Sequence, residues 1–402
     1  MTEAAAVPTL VLIAGAAVLA PLLAEWSRRI VPVPEVVIQI LLGPYVLGLA
    51  HPNSFVTALS DFGLTYLMFL AGTELDVATM RRGHLGRAAI AWACSVGIAL
   101  AIGALLKATG LVLDTVVVGL CLTTTALGTL LPVLRDSGIL GTRFGSVMLS
   151  VGAIGEFGPV VAVAILLTQR DSRITLLLLL VFVAVAVVAA LLATQVHPPR
   201  LVALLRRHLH STSQLPIRIS VLLVFVLVYL TLKLSLDVLL GAFAAGVVVR
   251  LFIPAQDYEP VTSKLEAIGF GFLIPIFFIV SGIHFDLHAL VHKPKVLLLV
   301  PVFAVLFLLT RGVPTWAFFR SILTKAESSA LAILASTGLP LIVVITTIGV
   351  DEHRMKPQNA AALVAAGMLS VLVYPIVGMR RLRNDPASAE SGVGERTKDD
   401  GP

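Results

Sequence analysis

Charged residues are scarce in this sequence. Only 13% of its 402 residues are Asp, Glu, Lys or Arg, and 58% are hydrophobic, whereas soluble domains have about 25% charged and about 45–50% apolar residues. A soluble chain of this length would fold as two or three domains joined by polar linkers, but no stretch between Pro8 and Val377 is polar enough to be a linker. The composition predicts one polytopic membrane domain. It excludes disordered chains and nucleic-acid-binding proteins, despite a net charge of +6.

Cysteine is also rare, which excludes a secreted disulfide scaffold. The two cysteines, Cys94 and Cys121, lie in apolar stretches, so neither a disulfide nor a metal site is indicated. Apolar packing is the role predicted for both, and no cofactor is predicted.

Long apolar runs dominate the chain instead. A helix that crosses a bilayer needs about 20 mostly apolar residues, and hydropathy read with the charged breaks predicts thirteen such helices. The predicted spans are 8–25, 34–50, 56–75, 86–106, 112–134, 144–168, 174–196, 216–233, 236–252, 262–283, 296–319, 326–348 and 358–378. The fold class is therefore an all-α polytopic membrane protein, and Pro8 to Ala24 is expected to be a retained first helix, because no basic segment precedes it.

The basic residues between these spans alternate in number. Connections on one side hold twenty Lys and Arg residues, those on the other side hold eight, and Arg311 is left inside the span 296–319. Because cytoplasmic loops carry the excess of Lys and Arg, the C-terminus is predicted in the cytoplasm. With an odd number of helices, the N-terminus is predicted outside a plasma membrane.

Two short motifs recur at similar spacing. Phe69 to Asp76 and Ile279 to Asp286 both contain Gly-x-polar-apolar-Asp, 210 residues apart, and Thr123 to Pro132 resembles Leu334 to Pro340 at nearly the same distance. The first pair ends an odd and an even span, so the two copies enter the membrane from opposite sides. This pattern predicts inverted-topology repeats, at about 34–168 and 236–378, which are found in many secondary transporters.

The second pair of motifs predicts two broken helices. Pro removes a backbone donor, Gly loosens a helix, and Ser or Thr hydroxyls can satisfy the backbone groups that are freed. Broken helices at corresponding positions of inverted repeats indicate a substrate site near the bilayer midplane. The predicted lining residues are Thr123, Thr124, Thr125, Ser336, Thr337, Gly338 and Pro340.

One carboxyl group is predicted deep in the membrane. Glu156 lies near the middle of the span 144–168, and an ionisable residue at that depth indicates a functional site. Gly155 and Pro159 would let a backbone or a hydrated cavity approach it, and Ser150 offers an oxygen. The alternative is that Glu156 only forms a structural ion pair with Arg311, although such a pair could also open during transport.

These elements together resemble the bacterial monovalent cation:proton antiporters of the sodium/hydrogen exchanger superfamily, near the Kef-type and Nap-type branch. The resemblance covers about residues 8–380. It is carried by Phe69 to Asp76, Pro275 to Gly282, the Ser/Thr-rich segment Thr123 to Pro132, the pair Gly155 and Glu156, and Arg311.

The resemblance implies a scaffold or dimerisation domain, hence a homodimer, and a mobile core that contains the broken helices. Residues 1–380 would form the exchanger domain, and residues 381–402 a disordered cytoplasmic tail. Glu156 would bind H⁺ or a monovalent cation such as Na⁺ or K⁺ in turn, with Arg311 as its ion-pair partner. One acid with an Arg implies electroneutral exchange. The resemblance implies a transporter and not an enzyme.

Position 155 departs from the family pattern. Relatives have Asp, Asn or Gln there, so Gly155 removes a side-chain ligand. Cation oxygens must then come from Glu156, Ser150, the Thr123 to Thr125 hydroxyls, unwound carbonyls or water. Two alternatives follow. The chain could transport another small solute, such as an organic anion held by Arg311 and the helix N-termini, or could be a membrane enzyme or sensor that uses Glu156 as a general acid.

Overall fold

The computed structural model describes residues 6–27, 38–39, 54–74, 84–166, 211, 213–234, 238–253, 255–281 and 294–383. The helices within these ranges are α1 (Ala6–Ser27), α2 (Ser54–Thr73), α3 (Leu85–Ala108), α4 (Thr115–Leu122), α5 (Leu127–Asp136), α6 (Arg143–Leu166), α7 (Leu215–Lys233), α8 (Val238–Phe252), α9 (Ala255–Ile268), α10 (Ile274–Ser281), α11 (Pro294–Phe307), α12 (Val313–Phe319), α13 (Lys325–Ala335), α14 (Pro340–Asp351) and α15 (Pro357–Arg383). Short π-helical segments join α9 to α10 (Gly269–Leu273) and α11 to α12 (Leu308–Gly312).

These helices confirm an all-helical polytopic membrane protein. Within the described ranges, nine helices are long and apolar enough to cross a bilayer, and two shorter apolar helices accompany them. The predicted spans 34–50 and 174–196 lie outside the described residues except for 38–39, so the count of thirteen stays a prediction. The last helix continues to Arg383, and the predicted division into an exchanger domain and a tail stays a prediction. Three other parts of the predictions lie outside the described residues: 384–402, Asp76, and the second motif from Gly282 to Asp286.

The chain divides into two compact units. The first comprises 1–26, 35–77 and 160–283, and the second comprises 27–34, 78–159 and 284–402. Of the described helices, α1, α2 and α7 to α10 belong to the first unit. The second unit contains α3 to α5, α6 as far as Pro159, and α11 to α15, so both predicted broken helices lie in it.

In the first unit, helices α2 and α8 approach each other at two glycines. A Cβ at Gly72 would meet the carbonyl oxygen of Phe243, and one at Gly246 would meet the carbonyl oxygen of Phe69 and lie 2.8 Å from Gly72 Cα. Backbones at this distance leave no room for a side chain on either helix. The Gly72 of the repeated motif therefore has a packing role in this structure.

In the second unit, two broken helices run antiparallel to each other. Asp114 lies just before α4 and accepts a hydrogen bond from Arg354, which follows α14, at 2.8 Å. Asn359 at the start of α15 donates to the carbonyl of Leu111 at 2.7 Å. The beginning of the first broken helix, α4–α5, thus lies beside the end of the second, α13–α14, as opposite entry into the membrane requires.

An apolar cluster packs the other end of the second unit. Its fully buried members include Leu134 of α5, Val147 of α6, Phe319 of α12 and Leu331 of α13. Of the two cysteines, Cys121 is buried as predicted, whereas Cys94 is exposed on α3. The apolar packing predicted for Cys94 stays a prediction.

The close contact between α2 and α8 predicts that a single methyl group added at this contact lowers the stability of the protein. Gly246→Ala should lower the free energy of unfolding by about 1–3 kcal/mol, the usual cost of overpacking. Thermal melting in detergent measures the change. Gly15→Ala on α1 is the matched control, because a Cβ there meets nothing within 4 Å. Equal melting temperatures of the two variants would contradict the packing role.

The Asp114 contact predicts a pH-dependent stability. Asp114 precedes the first helical residue of α4, and its Oδ1 also accepts from Val116 N and Val117 N. Burial opposes its ionisation, but the Arg354 guanidinium and these N–H groups outweigh burial and hold the pKa of this carboxyl below its usual range. The stabilisation is therefore complete above the usual carboxyl range and is lost as the pH falls through the lowered native pKa.

Asp114→Asn keeps the helix cap and removes the ion pair, so it should cost about 0.2–1 kcal/mol at pH 7. Asp114→Ala, which also removes the cap, should cost roughly 1 kcal/mol more. Melting curves between pH 7 and the acid range test this. If wild type and Asp114→Asn still differ in melting temperature at the acid end, the ion pair is not the source of that difference.

Candidate functional site

The first helix break consists of Thr123, Thr124, Thr125 and Ala126, between α4 and α5. Its three hydroxyls satisfy carbonyl groups: Thr123 donates to Leu120 O, Thr124 to Cys121 O and Thr125 to Ala335 O, at 2.9, 3.1 and 2.6 Å. The break is shorter than the predicted segment Thr123 to Pro132, because Gly128 and Pro132 belong to α5.

The second break consists of Ser336, Thr337, Gly338 and Leu339, between α13 and α14. Pro340, predicted to line the break, is instead the first residue of α14, a position that Pro favours because no intrahelical donor is needed there. A Cβ at Gly338 would lie 2.7 Å from Thr124 Oγ1, so glycine allows the two breaks to touch.

The two breaks supply each other's hydrogen bonds. Ala126 N donates to Thr337 O at 2.7 Å, and Thr125 Oγ1 reaches Ala335 O across the same contact. Such mutual pairing is required because lipid offers no partner to an unwound backbone. The sequence-predicted lining residues of the two repeats are thus brought together in one place.

Pro159 of α6 leaves the carbonyl of Gly155 free to accept a hydrogen bond from the first break. In a regular helix the carbonyl of residue 155 accepts from the N–H of residue 159, but proline has no N–H. Gly155 O instead accepts from Thr125 N at 2.9 Å. The proline predicted only to support Glu156 therefore frees a carbonyl that stabilises the break.

Glu156 lies in the middle of α6 and is buried, with 7% of its surface exposed. Gly155 precedes it directly, and Gly158 follows two residues later. A Cβ at Gly155 would meet Arg311 Nη2 and Thr125 Oγ1, and one at Gly158 would lie 2.6–2.9 Å from the ring of Trp92. The α6 backbone around the carboxyl group is therefore packed directly against the first break and two large side chains.

Arg311 is completely buried in the π-helical segment between α11 and α12. Its Nε donates to Thr125 Oγ1 at 2.9 Å and its Nη2 to Val151 O at 2.7 Å. Nη1 has no hydrogen-bond partner among the described residues. These neutral oxygens orient the guanidinium beside Gly155, while its ion pair with Glu156 stays a prediction.

Ser150 is buried on α6, and its hydroxyl donates to Ser146 O of the same helix at 2.9 Å. This bond satisfies the hydroxyl locally. Its predicted part in cation binding stays a prediction.

Three neighbours of the breaks were missed by sequence reasoning. Trp92 Nε1 donates to Thr123 O at 3.3 Å, Thr310 Oγ1 donates to Leu122 O at 2.8 Å, and Ser370 Oγ accepts from Gly338 N at 3.1 Å and lies 3.0 Å from Gly338 O. Only Thr310 carried a signal, since it precedes Arg311 in an apolar span. No local pattern marks Trp92 or Ser370, which reach the breaks from other helices.

Two broken helices that touch inside the protein, with a buried glutamate on a neighbouring helix, are an arrangement typical of secondary transporters. The family model described as the transmembrane sodium/hydrogen exchanger matches residues 14–380. The chain belongs to the sodium/hydrogen exchanger family.

Several relatives resemble the chain over most of its length. It is 26% identical over 389 residues to a putative Na⁺/H⁺ antiporter, YjbQ, of Bacillus subtilis, covering 92% of this chain but only 62% of the relative. It is 26% identical over 355 residues to the Na⁺/H⁺-K⁺ antiporter GerN of Bacillus cereus, covering 85% of this chain and 87% of the relative.

The fold is also similar to a solved structure. The sodium proton antiporter MjNhaP1 of Methanocaldococcus jannaschii superposes with a TM-score of 0.66 at 16% identity, covering 94% of this chain and 98% of that one. At this identity the likeness concerns the fold alone, and it agrees with the predicted antiporter-like architecture.

The crowding at Gly155 predicts that even a methyl group there lowers the stability of the protein. Gly155→Ala should displace Arg311 or Thr125 and lower the free energy of unfolding by about 1–3 kcal/mol. Gly97→Ala on α3 is the matched control, since its Cβ would meet nothing within 4 Å. Thermal melting of both variants checks the prediction, and an unchanged Gly155→Ala protein would mean that Arg311 does not fill this space.

Proposed function

We propose that the protein is a secondary transporter that exchanges a monovalent cation, Na⁺ or K⁺, for H⁺ by alternating access. The observation that carries this proposal is the buried carboxyl group of Glu156 on a helix bonded directly to the first of two touching breaks. The names of the relatives, which are Na⁺/H⁺ or Na⁺/H⁺-K⁺ antiporters, support the choice of ions.

The exchange depends on one carboxyl group that binds a proton or a cation, but never both at once. A carboxylate binds either a proton or a cation, so cation entry releases the proton and proton entry releases the cation. Oxygen atoms from the breaks and from water complete the coordination of a hard cation. The unit that contains both breaks is then the mobile core, and the other unit is the scaffold through which two copies form a homodimer.

One-for-one exchange follows from the charges of the site. Gly155 adds no second acid beside Glu156, and Arg311, whose guanidinium group is held by Thr125 Oγ1 and Val151 O, is a side chain that does not release a proton in proteins. One cation then replaces one proton, so no net charge crosses the membrane. The alternating count of basic residues supports a C-terminus in the cytoplasm and an N-terminus outside a plasma membrane.

Glu156→Gln should abolish cation/proton exchange, because the amide keeps the shape of the side chain but binds no proton. The wild type and the variant are reconstituted in liposomes with a trapped pH dye. Na⁺, K⁺, Li⁺ or Rb⁺ is then added against an imposed pH gradient. Glu259→Gln, which changes an exposed carboxylate of α9, is the matched control and should exchange like the wild type.

Three results would contradict parts of the proposal. If no cation collapses the gradient in wild type, the protein is not this kind of antiporter. If Glu156→Gln retains exchange, the carboxyl group is not the shared site, which would favour transport of another solute. If the exchange rate follows an imposed membrane voltage, the one-for-one stoichiometry is wrong.

A further inference from the structure

The two breaks carry five hydroxyl side chains, and four of them are engaged. Thr123, Thr124, Thr125 and Ser336 each donate to a backbone carbonyl within 3.1 Å. The hydroxyl of Thr337 differs: the side chain is completely buried, yet its Oγ1 has no hydrogen-bond partner among the described residues.

The fold itself does not need this hydroxyl. The backbone of Thr337 is fixed by its own groups, since its N–H donates to Leu334 O at 3.0 Å and its carbonyl accepts from Ala126 N at 2.7 Å. Leaving a buried hydroxyl unpaired is unfavourable, and valine has nearly the same shape without that cost. A hydroxyl kept at this position therefore indicates a partner other than the surrounding protein.

Several other oxygens of the breaks already have hydrogen-bond partners. The carbonyls of Thr123 and Thr337 already accept from Trp92 and Ala126, and Thr125 Oγ1 both donates to Ala335 O and accepts from Arg311 Nε. Gly155 supplies no side-chain oxygen. A cation that leaves water needs several oxygen ligands, and a hydroxyl offers two lone pairs.

We propose that Thr337 Oγ1 is a ligand of the transported monovalent cation. This inference rests on the proposed exchange function and assigns the second break a direct contact with the substrate. The first break then mainly holds Arg311 and α6 in place, while the second contributes the oxygen that Gly155 lacks.

Three variants in proteoliposomes test the proposal. Thr337→Val removes only the hydroxyl, and Thr337→Ser keeps it. Thr346→Val on α14, the helix that follows the second break, is the matched control, since that buried hydroxyl donates to Ile342 O and Val343 O. Thr337→Val should raise the KM for Na⁺ or K⁺ about three- to tenfold, with the rate at saturating cation within about twofold. Thr337→Ser and Thr346→Val should keep the wild-type KM.

A binding measurement separates a ligand from a structural role. In detergent, Na⁺ titrated against choline chloride should raise the melting temperature of wild type, and this increase should shrink in Thr337→Val. Without Na⁺, Thr337→Val should melt no lower than wild type, because an unpaired buried group has been removed. A merely structural hydroxyl would leave both KM and the Na⁺ effect unchanged.

The outcomes distinguish the two proposals. Exchange by wild type together with a wild-type KM and Na⁺ effect in Thr337→Val would overturn the ligand role alone. Failure of wild type to exchange any cation would overturn the proposed function, while the melting series would still show whether Thr337 binds Na⁺. If Thr337→Val does not fold, Thr337→Ala replaces it, and a KM raised equally in Thr337→Ser would refute the role of the hydroxyl.

Discussion

The second unit depends on one constraint, which is that backbone groups freed inside a membrane must find partners within the protein. Each break interrupts the hydrogen bonds of its own helix. The two breaks solve this together, because Ala126 N–H pairs with the Thr337 carbonyl and the Thr125 hydroxyl with the Ala335 carbonyl. Neither interruption would be stable alone, so the polar site exists only where the two meet.

Arg311 imposes the second requirement on the site. A buried charge is costly unless it is paired and hydrogen-bonded, and this guanidinium obtains two of its bonds from neutral oxygens of the first break and α6. Space for it exists because residue 155 has no side chain. The missing ligand at Gly155 and the buried arginine are thus two aspects of one packing arrangement.

Hydropathy was enough to predict the long apolar helices of the described ranges, because a bilayer demands long apolar segments whatever their contacts. Proline, glycine and hydroxyl residues likewise predicted the breaks, since their effects on a helix are local. The π-helical segment that carries Arg311 was beyond prediction, because hydropathy does not distinguish one helical hydrogen-bond register from another. Trp92 and Ser370 were missed for a different reason: their importance comes only from helices brought together by the fold.

The carbonyl of Gly155 has a consequence for how the first break is maintained. Two donors could in principle use it, residue 159 of its own helix or Thr125 of the neighbouring one, and proline eliminates the first competitor. The unwound state of one helix is therefore secured by a residue on another. If α6 shifts along its own axis, Glu156 moves with it. Thr125 must then move as well, or the hydrogen bond between Thr125 N and Gly155 O is lost. Movement of the carboxyl group is therefore coupled to the first break.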